Sequence, residues 1–254
     1  MRVSGQGILG VDIGGSSVKA APVSIADGKF LSDPMLVETP ADATPDMLAE
    51  TIRELAVSFY WNGPVGVGYP GIVKDGEARL AAHVSKECLG VNLADLFSRK
   101  TGLPVNVLND ADAAGLAEMR FGAGKGHNQA DGGVVLMLTF GTGIGSAVFI
   151  GGRLLPNTEF GHLQVEGTEA EDLAAASVRV RQNLSWENWS TRVNLVLAEY
   201  ELLLSPDLII FGGGITDNFE QFGGLLHTQA TLVPASLGNR AGILGAALAA
   251  GSEH

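Results

Sequence analysis

A pattern that occurs twice constrains the fold most: an apolar strand, a glycine-rich turn and a second strand. Its first copy is Ile8–Ile13, Gly14-Gly15-Ser16-Ser17 and Val18–Val23; its second is Val134–Phe140, Gly141-Thr142-Gly143 and Ser146–Ile150. A third apolar strand, Leu208–Phe211, ends at Gly212-Gly213-Gly214. Segments with apolar residues at helical spacing lie between these strands. The alternation predicts a layered α/β fold of two similar halves facing each other across a cleft.

The remaining elements follow from apolar periodicity and from residues that begin or end helices. Thr44 and Pro45 fit the N-cap and first position of a helix that carries Leu48, Ile52, Leu55 and Phe59. Further strands are expected at Pro64–Tyr69 and Val105–Leu108, and further helices at Leu93–Lys100, from near Asp112 to Phe121, at Ser185–Leu204 and at Ala241–Ala250. In the longest helix, one side carries Trp189, Val193, Val196, Leu197 and Tyr200. The boundary between the halves is expected near Asp110–Ala114.

Charge and cysteine content exclude several classes of protein. The 254 residues include 28 Asp and Glu against 16 Lys and Arg, a net charge of −12, which argues against nucleic-acid and anionic-membrane partners. The single cysteine, Cys88, allows neither an internal disulfide nor a cysteine zinc cluster, and we expect it to be buried. Met1–Gly5 lacks the features of a leader, and no run of 18 apolar residues occurs. We therefore expect a cytoplasmic protein.

Motifs of several enzyme classes are absent or stand in the wrong context. Gly5–Gly10 matches GxGxxG but precedes a strand, and Gly141–Ser146 lacks the final glycine, which weakens an NAD-dependent oxidoreductase. Neither a GxxxxGK[ST] loop nor HExxH nor GxSxG occurs, and the five histidines lack metal-ligand spacing.

Each glycine turn, on the other hand, can present backbone N–H groups to phosphate oxygens. A single such turn is more often a plain turn, but three of them, each after an apolar strand, favour a phosphate site. Asp12 stands inside an apolar strand just before the first turn, where a carboxylate needs a partner. It can serve as a Mg²⁺ ligand, directly or through water, or as a turn cap. Lys19 can reach a phosphate across the hairpin or be an ordinary exposed lysine.

Asn109 and Asp110 follow a strand, which places them over the carboxyl edge of the sheet. Asp110 can accept the proton of a substrate hydroxyl during phosphoryl transfer. An Asx turn or helix cap is the alternative, and we expect Asp112 to be the cap. Glu159 and His162, three residues apart, can hold the hydroxyls of a polyol or form a surface pair.

Five ordered motifs together resemble a known family. They are Val11–Lys19, Tyr69-Pro70-Gly71, Leu108–Ala114, Gly141–Gly145 and Glu159–His162, and the resemblance extends from Ile8 to Ala250. The chain resembles bacterial ROK-type sugar kinases of the actin-like ATPase and hexokinase (ribonuclease H-like) fold. Leu138–Gly143 and Pro156–His162 are most similar to the polyphosphate glucokinase branch. The resemblance implies a small α/β lobe of residues 1–112 with 241–254, a large lobe of residues 113–240, and a sugar and phosphate-donor cleft between them.

The resemblance also implies roles for individual residues. Asp110 would be the base on the 6-hydroxyl of glucose, with polyphosphate, ATP or both as donor and Mg²⁺ as cofactor. The sugar would contact Gly71, Asn109, Asp110, Glu159, His162 and Glu171. The phosphates or ATP would contact Asp12, Gly14, Gly15, Ser16, Ser17, Lys19, Thr139, Gly141, Thr142, Gly143, Gly213 and Gly214. The metal would be bound at Asp12, the family suggests a homodimer, and acceptance of mannose stays open.

Two departures from the family pattern matter. Leu163–Ser177 contains no cysteine, so we expect no structural zinc and a segment held by packing. His83 and Cys88 stand where relatives have Asn and Trp, so His83 is a candidate sugar contact.

Because the first strand begins at about Ile8, we expect no DNA-binding helix-turn-helix. A non-catalytic sugar sensor is the rival hypothesis, disfavoured by the intact Asp12 and Asp110. Candidates for a local positive track are Lys19, Arg120, Lys125 and Arg153.

Overall fold

The computed structural model of the chain describes residues 7–251. Met1–Gly5, where the sequence predicts no leader, and the beginning of the Gly5–Gly10 motif lie outside this range. The described residues divide into two compact units, one of residues 7–117 with 240–251 and one of Glu118–Asn239. Within residues 7–251, no helix combines the length and apolar character needed to cross a membrane.

The strands are β1 (Ile8–Ile13), β2 (Ser17–Ser24), β3 (Lys29–Phe30), β4 (Met35–Glu38), β5 (Val65–Tyr69), β6 (Val73–Lys74), β7 (Glu77–Ala78), β8 (Val105–Asn109), β9 (Val134–Phe140), β10 (Ile144–Ile150), β11 (Arg153–Leu155), β12 (Gln164–Val165), β13 (Thr168–Glu169), β14 (Leu208–Gly212) and β15 (Thr231–Pro234). The helices are α1 (Pro45–Ser58), α2 (Leu93–Thr101), α3 (Asp110–Phe121), α4 (Ala170–Ala174), α5 (Ala176–Arg181), α6 (Trp186–Leu204), α7 (Phe219–Phe222) and α8 (Ala241–Gly251).

The first unit is built on a sheet of order β3-β2-β1-β5-β8, with β4 also paired to β2. β1 and β2 form the antiparallel hairpin predicted around Gly14–Ser17, whereas β1, β5 and β8 run parallel. In this register Asp12 lies beside Gly68, which lies beside Leu108. The carboxyl ends of these strands therefore meet at one edge, where ligands bind in open α/β sheets.

Local chemistry explains where the helices of this unit begin and end. Thr44 Oγ1 accepts a hydrogen bond from Met47 N at 3.4 Å, and Pro45 follows it, as the sequence predicts for α1. Asn92 caps α2 in the same way, and Gly102 ends that helix with a φ of 72°. Both helices bury apolar faces in the core beside the sheet, in which Cys88 is also buried.

Helix α8 packs against the sheet through bare backbone. A Cβ on Gly10 would lie 2.9 Å from the carbonyl carbon of Ile243, and Gly66 meets the backbone of Ala246 just as closely. Gly10 of β1 and Gly66 of β5 therefore allow the backbone of α8 to approach the sheet closely, and Leu244 of α8 is fully buried.

The second unit has a sheet of order β11-β10-β9-β14-β15. The long helix α6 buries the side predicted from its periodicity, from Trp189 to Tyr200. Around Trp189 an aromatic cluster fills the core: Phe140 stacks on Phe211 at 4.3 Å between ring centroids, and Phe222 packs edge-on to Trp189 at 5.1 Å. This cluster lies directly beneath the turn that follows β9, since Phe140 is the last residue of that strand.

The expectation that Asp112 caps α3 is wrong. The helix begins at Asp110, and Asn109 Oδ1 accepts the hydrogen bond from the backbone N–H of Asp112 at 2.8 Å. Asp112 is itself buried in the first turn. Asn, Asp and Ser residues cap helices almost equally well, so local preference cannot choose among Asn109, Asp110 and Asp112.

Candidate active site

Two aspartates flank one glycine at the carboxyl edge of the first unit's sheet. A Cβ on Gly68 would lie 3.7 Å from Oδ1 of Asp12 and 3.6 Å from Cα of Asp110. The backbone N–H of Ala111 donates to Oδ1 of Asp110 at 2.8 Å, and Asp110 occupies the start of α3. The partial positive charge of a helix N-terminus favours the ionised carboxylate. The structure thus brings together the two carboxylates that the sequence singled out.

The environment of Asp12 is densely packed. Burial raises the pKa of its carboxyl group, and the charge of Lys19, its partner across the β1–β2 hairpin, opposes that rise. A Cβ on Gly242, in the first turn of α8, would lie 2.6 Å from Cγ of Asp12. Asp12 is therefore held between a cation and the start of a helix, both of which stabilise its charged form.

The turn after β1 exposes its tip. Gly14 N–H donates to Ser17 O at 2.9 Å, and the Thr39 hydroxyl donates to Gly14 O at 2.6 Å, whereas Gly15 and Ser16 are exposed. His83 packs beside this turn, since a Cβ on Gly15 would lie 3.0 Å from Cβ of His83. The structure thus places His83, a predicted sugar contact, next to the predicted phosphate turn.

Asn109 and Gly71 are in direct contact. The side-chain amide of Asn109 donates to Gly71 O at 3.2 Å, and Asn109 is buried. Gly71 has a φ of 143°, and a Cβ there would collide with the backbone of Leu80. These contacts hold the Pro-Gly step against the end of β8, immediately before Asp110.

In the second unit, the turn after β9 is held from both sides. Ser177 N–H donates to Gly141 O at 3.0 Å and the Ser177 hydroxyl donates to Thr142 O at 2.6 Å, while Gly141 and Thr142 stay exposed. Gly213, with a φ of 93°, lies against the backbone of Phe140: a Cβ there would be 2.7 Å from Phe140 N. The structure therefore brings two predicted phosphate turns side by side.

Of the remaining predicted residues, Thr139 lies on β9 and Gly214 begins a short 3-10 helix after β14. Thr139 is half-buried on β9 and paired with Gly212, and Gly214 faces open space.

Glu171 connects the glycine turn to the predicted sugar residues. Its Oε2 accepts a hydrogen bond from Ile144 N at 3.3 Å, and its carboxylate occupies the space that side chains on Gly143 and Gly161 would need. Burial raises the pKa of Glu159, the nearby His162 lowers it, and the charge of Glu171 raises it further. Glu159, His162 and Glu171 thus form one cluster within the second unit.

His162 pairs with a residue that the sequence analysis missed. Its Nδ1 lies 2.8 Å from Oε2 of Glu169 and 4.0 Å from Oε1 of Glu171. The hydrogen bond with Glu169 raises the pKa of His162. Ligand atoms of these three residues lie within 4.8 Å of one another, close enough to share a divalent ion. The intervals of seven and two residues form no known metal motif, and only the β12–β13 hairpin brings Glu169 back to His162.

Other supporting residues were also missed: Thr39, Gly68, Ser177 and Gly242. The signal for Gly242 is a glycine at the first turn of a small-residue helix, and the other three carry no sequence signal.

The chain is similar to known proteins of one family. The family model described as "ROK family" matches residues 8–175. A polyphosphate glucokinase from Mycobacterium tuberculosis (strain CDC 1551 / Oshkosh) is 47% identical over 95% of this chain and 90% of its own. The crystal structure of an inorganic polyphosphate/ATP-glucomannokinase from Arthrobacter sp. strain KM is 40% identical, with a TM-score of 0.92 over 98% of this chain and 100% of that one.

A ROK family glucokinase from Streptomyces griseus, solved in complex with glucose and AMPPNP, is 26% identical with a TM-score of 0.80, over 96% of this chain and 99% of that one. The similarity extends over almost the full length of this chain and over 90% or more of each of these three relatives. The chain has the actin-like ATPase and hexokinase fold and belongs to the ROK family.

Proposed function

We propose that this protein is a glucokinase that transfers the terminal phosphoryl group of polyphosphate or ATP to the 6-hydroxyl of glucose. Relatives that match more than nine-tenths of this chain are named polyphosphate glucokinase and polyphosphate/ATP-glucomannokinase. One structural observation carries the proposal: Asp12 and Asp110 flank Gly68 at the carboxyl edge of the sheet, beside the Gly14–Ser17 turn with its exposed tip. Phosphoryl transfer needs a base and a charge-neutralising phosphate site in such proximity.

Asp110 serves as the base in this proposal. Its carboxylate accepts the proton of the glucose 6-hydroxyl while the oxygen forms a bond to the terminal phosphorus and the bond to the donor's bridging oxygen breaks. The displaced phosphate chain, or ADP, leaves with the electron pair of that bond. Such transfers depend on alignment and charge neutralisation more than on covalent catalysis.

Asp12 holds Mg²⁺ in the same proposal, directly or through water. A single half-buried carboxylate fits this ion, which keeps several waters and binds one or two carboxylates together with substrate phosphates. When bound, Mg²⁺ neutralises charge on the phosphates. In the first unit, the phosphate oxygens are bound by Gly14–Ser17 and Lys19. In the second unit, the phosphates of polyphosphate or ATP are bound by Thr139, Gly141–Gly143, Gly213 and Gly214.

The sugar residues hold the other hydroxyls. Glu159, His162 and Glu171 combine acceptors and a donor in one cluster. Asn109, which is buried and hydrogen-bonded to Gly71, contacts the sugar together with Gly71, next to the base. His83, beside Gly15, contacts either the sugar or a phosphate.

Coupled assays for glucose 6-phosphate and for mannose 6-phosphate test the proposal. Polyphosphate and ATP are each supplied with glucose and with mannose, with Mg²⁺ or with EDTA. We expect product from glucose that depends on Mg²⁺, and a mannose arm that tells a glucokinase from a glucomannokinase. Glucose binding without product from either donor would instead support the non-catalytic sensor.

The proposal includes a cytoplasmic homodimer. Light scattering of the purified protein tests the dimer.

A further inference from the structure

We propose that Glu169 is a positioning residue: it fixes the ring of His162 so that Nε2 is the nitrogen presented to the sugar. This inference rests on the proposed function, because it deepens the role of His162 there. Its central observation is the 2.8 Å separation between Glu169 Oε2 and His162 Nδ1.

The chemistry of the two groups determines the direction of this hydrogen bond. An ionised carboxylate can only accept, so the proton of the bond resides on Nδ1. In the neutral ring Nε2 is then the acceptor, and in the charged ring it is a second donor. Either way Glu169 uses one nitrogen and leaves the other for a ligand, and the His162 side chain is 42% exposed.

The backbone of Glu169 is held firmly on the protein. Glu169 pairs with Gln164 in the β12–β13 hairpin, whose Val165 is buried. The next residue, Ala170, donates its N–H to Leu163 O at 2.9 Å and is fully buried as α4 begins. The carboxylate of Glu169 is therefore carried by a fixed backbone.

The backbone of His162 is fixed just as well. Phe160 N–H donates to Ser146 Oγ at 3.1 Å, and the Tyr200 hydroxyl donates to Phe160 O at 2.7 Å. Gly161 is packed against Ile144, whose carbonyl carbon would lie 3.3 Å from a Cβ at that position. With both backbones held, rotation of the imidazole is the remaining freedom, and the Glu169 bond restricts it.

Glu171 does not take over this task. Its Oε1 lies 4.0 Å from Nδ1, beyond hydrogen-bond distance, and its Oε2 already accepts from Ile144 N. A divalent ion shared by the three side chains would orient the ring differently, through a metal bond to Nδ1. The experiment must therefore separate a positioning carboxylate from a metal ligand.

Three variants of the same hairpin provide the test. Glu169→Ala removes the acceptor, Glu169→Gln keeps an amide oxygen that can accept from Nδ1–H, and Glu166→Ala makes the same truncation and charge change at the exposed hairpin tip. We expect Glu169→Ala to raise the glucose KM about tenfold, the effect of one charge-assisted hydrogen bond, with kcat changed far less. The glucose KM of Glu169→Gln should lie close to that of the wild type, and the glucose KM of Glu166→Ala should equal it.

The tautomer of His162 supplies a readout that needs no turnover. Long-range ¹⁵N NMR of the imidazole, assigned with His162→Gln and recorded at a pH where the ring is neutral, should show a protonated Nδ1 in the wild type and a mixture of tautomers in Glu169→Ala. An unchanged tautomer, or a glucose KM equal to that of Glu166→Ala, overturns the inference. So does a wild-type KM that rises after EDTA treatment and recovers with Zn²⁺ but not with Mg²⁺ alone. A protein that neither binds nor phosphorylates glucose refutes the proposed function, and it overturns the sugar-facing role with it, while the tautomer still reports whether Glu169 orients the ring.

Discussion

Gly242 leaves room for the carboxyl group of Asp12: a Cβ on Gly242 would lie 2.6 Å from Cγ and 2.8 Å from both carboxylate oxygens. The contact joins the first turn of α8 to the end of β1, two elements more than 200 residues apart in sequence. The position of a proposed metal ligand therefore depends on a glycine near the end of the chain.

Gly242→Ala should displace the Asp12 carboxylate and lower kcat. Misplacement of a reacting group by about 1 Å can cost on the order of 10²-fold in rate, and we expect a loss of that size. Steady-state kinetics measure it, with Gly224→Ala as control because a Cβ there meets nothing within 4 Å. Normal turnover of Gly242→Ala, at unchanged thermal stability, would mean that the exact place of Asp12 is unimportant.

Asp110→Asn should abolish most turnover while glucose still binds. The amide keeps the shape and the hydrogen-bonding oxygen of the side chain but cannot take the hydroxyl proton, and general-base catalysis contributes about 10²–10⁴-fold. Coupled kinetics give kcat, and calorimetry gives the glucose Kd. A kcat within a few-fold of wild type would rule out Asp110 as the base.

The parts of the fold that the sequence predicts well are those determined by neighbouring residues. Thr44 and Pro45 start α1 because cap and first-turn chemistry lie next to each other in the chain, and the apolar side of α6 repeats over about three turns. By contrast β4, Met35–Glu38, has four exposed residues and no alternation, so it gives no strand signal.

The unpredicted features depend on residues distant in sequence. The amide of Asn109 is oriented by Gly71, 38 residues earlier, and this leaves its oxygen to cap α3 in place of Asp112. Likewise the spacing of Glu159 and His162 is visible in the sequence, but the choice of Glu169 as partner of His162 follows from the register of the β12–β13 hairpin.

Glu118→Gln should destabilise the second unit strongly. The Glu118 carboxylate is fully buried and accepts backbone N–H groups of Ala123, Ser236 and Leu237 at 2.7–2.9 Å. An amide NH₂ in place of one oxygen would face these donors, which costs roughly 2–4 kcal/mol. Urea unfolding measures the free energy of unfolding, with the exposed Glu54→Gln as control, and equal values for the two variants would contradict the prediction.

Glucose binding should weaken in acid because of Glu159. Burial raises the pKa of this carboxyl above its usual value near 4.5, so it is protonated at a higher pH than an ordinary glutamate. If the sugar binds the carboxylate, affinity is present above the raised pKa and lost as the pH falls through it. The hydrogen bond with Glu169 also raises the pKa of His162, so a change in affinity caused by His162 would persist when Glu159 is replaced.

The measurement for Glu159 is the glucose KM between pH 5 and pH 8. Glu159→Gln should bind more weakly at every pH and lack the acid limb. The same limb in that variant would assign the titration to another group.

Polyphosphate binding should weaken as salt is added, in spite of the net charge of −12. Lys125 and Arg153 are exposed cations on neighbouring segments, since the β10–β11 turn at Gly152 packs against Asn128. Exposed charges more than about 10 Å apart are screened at 0.1 M salt, so the polyphosphate KM should rise from 50 to 300 mM NaCl while the glucose KM stays constant. Lys125→Gln with Arg153→Gln should flatten this dependence, and Arg99→Gln, an exposed cation outside the motifs, should not. A polyphosphate KM independent of salt would mean that backbone N–H groups and the metal bind the polyanion without a basic track.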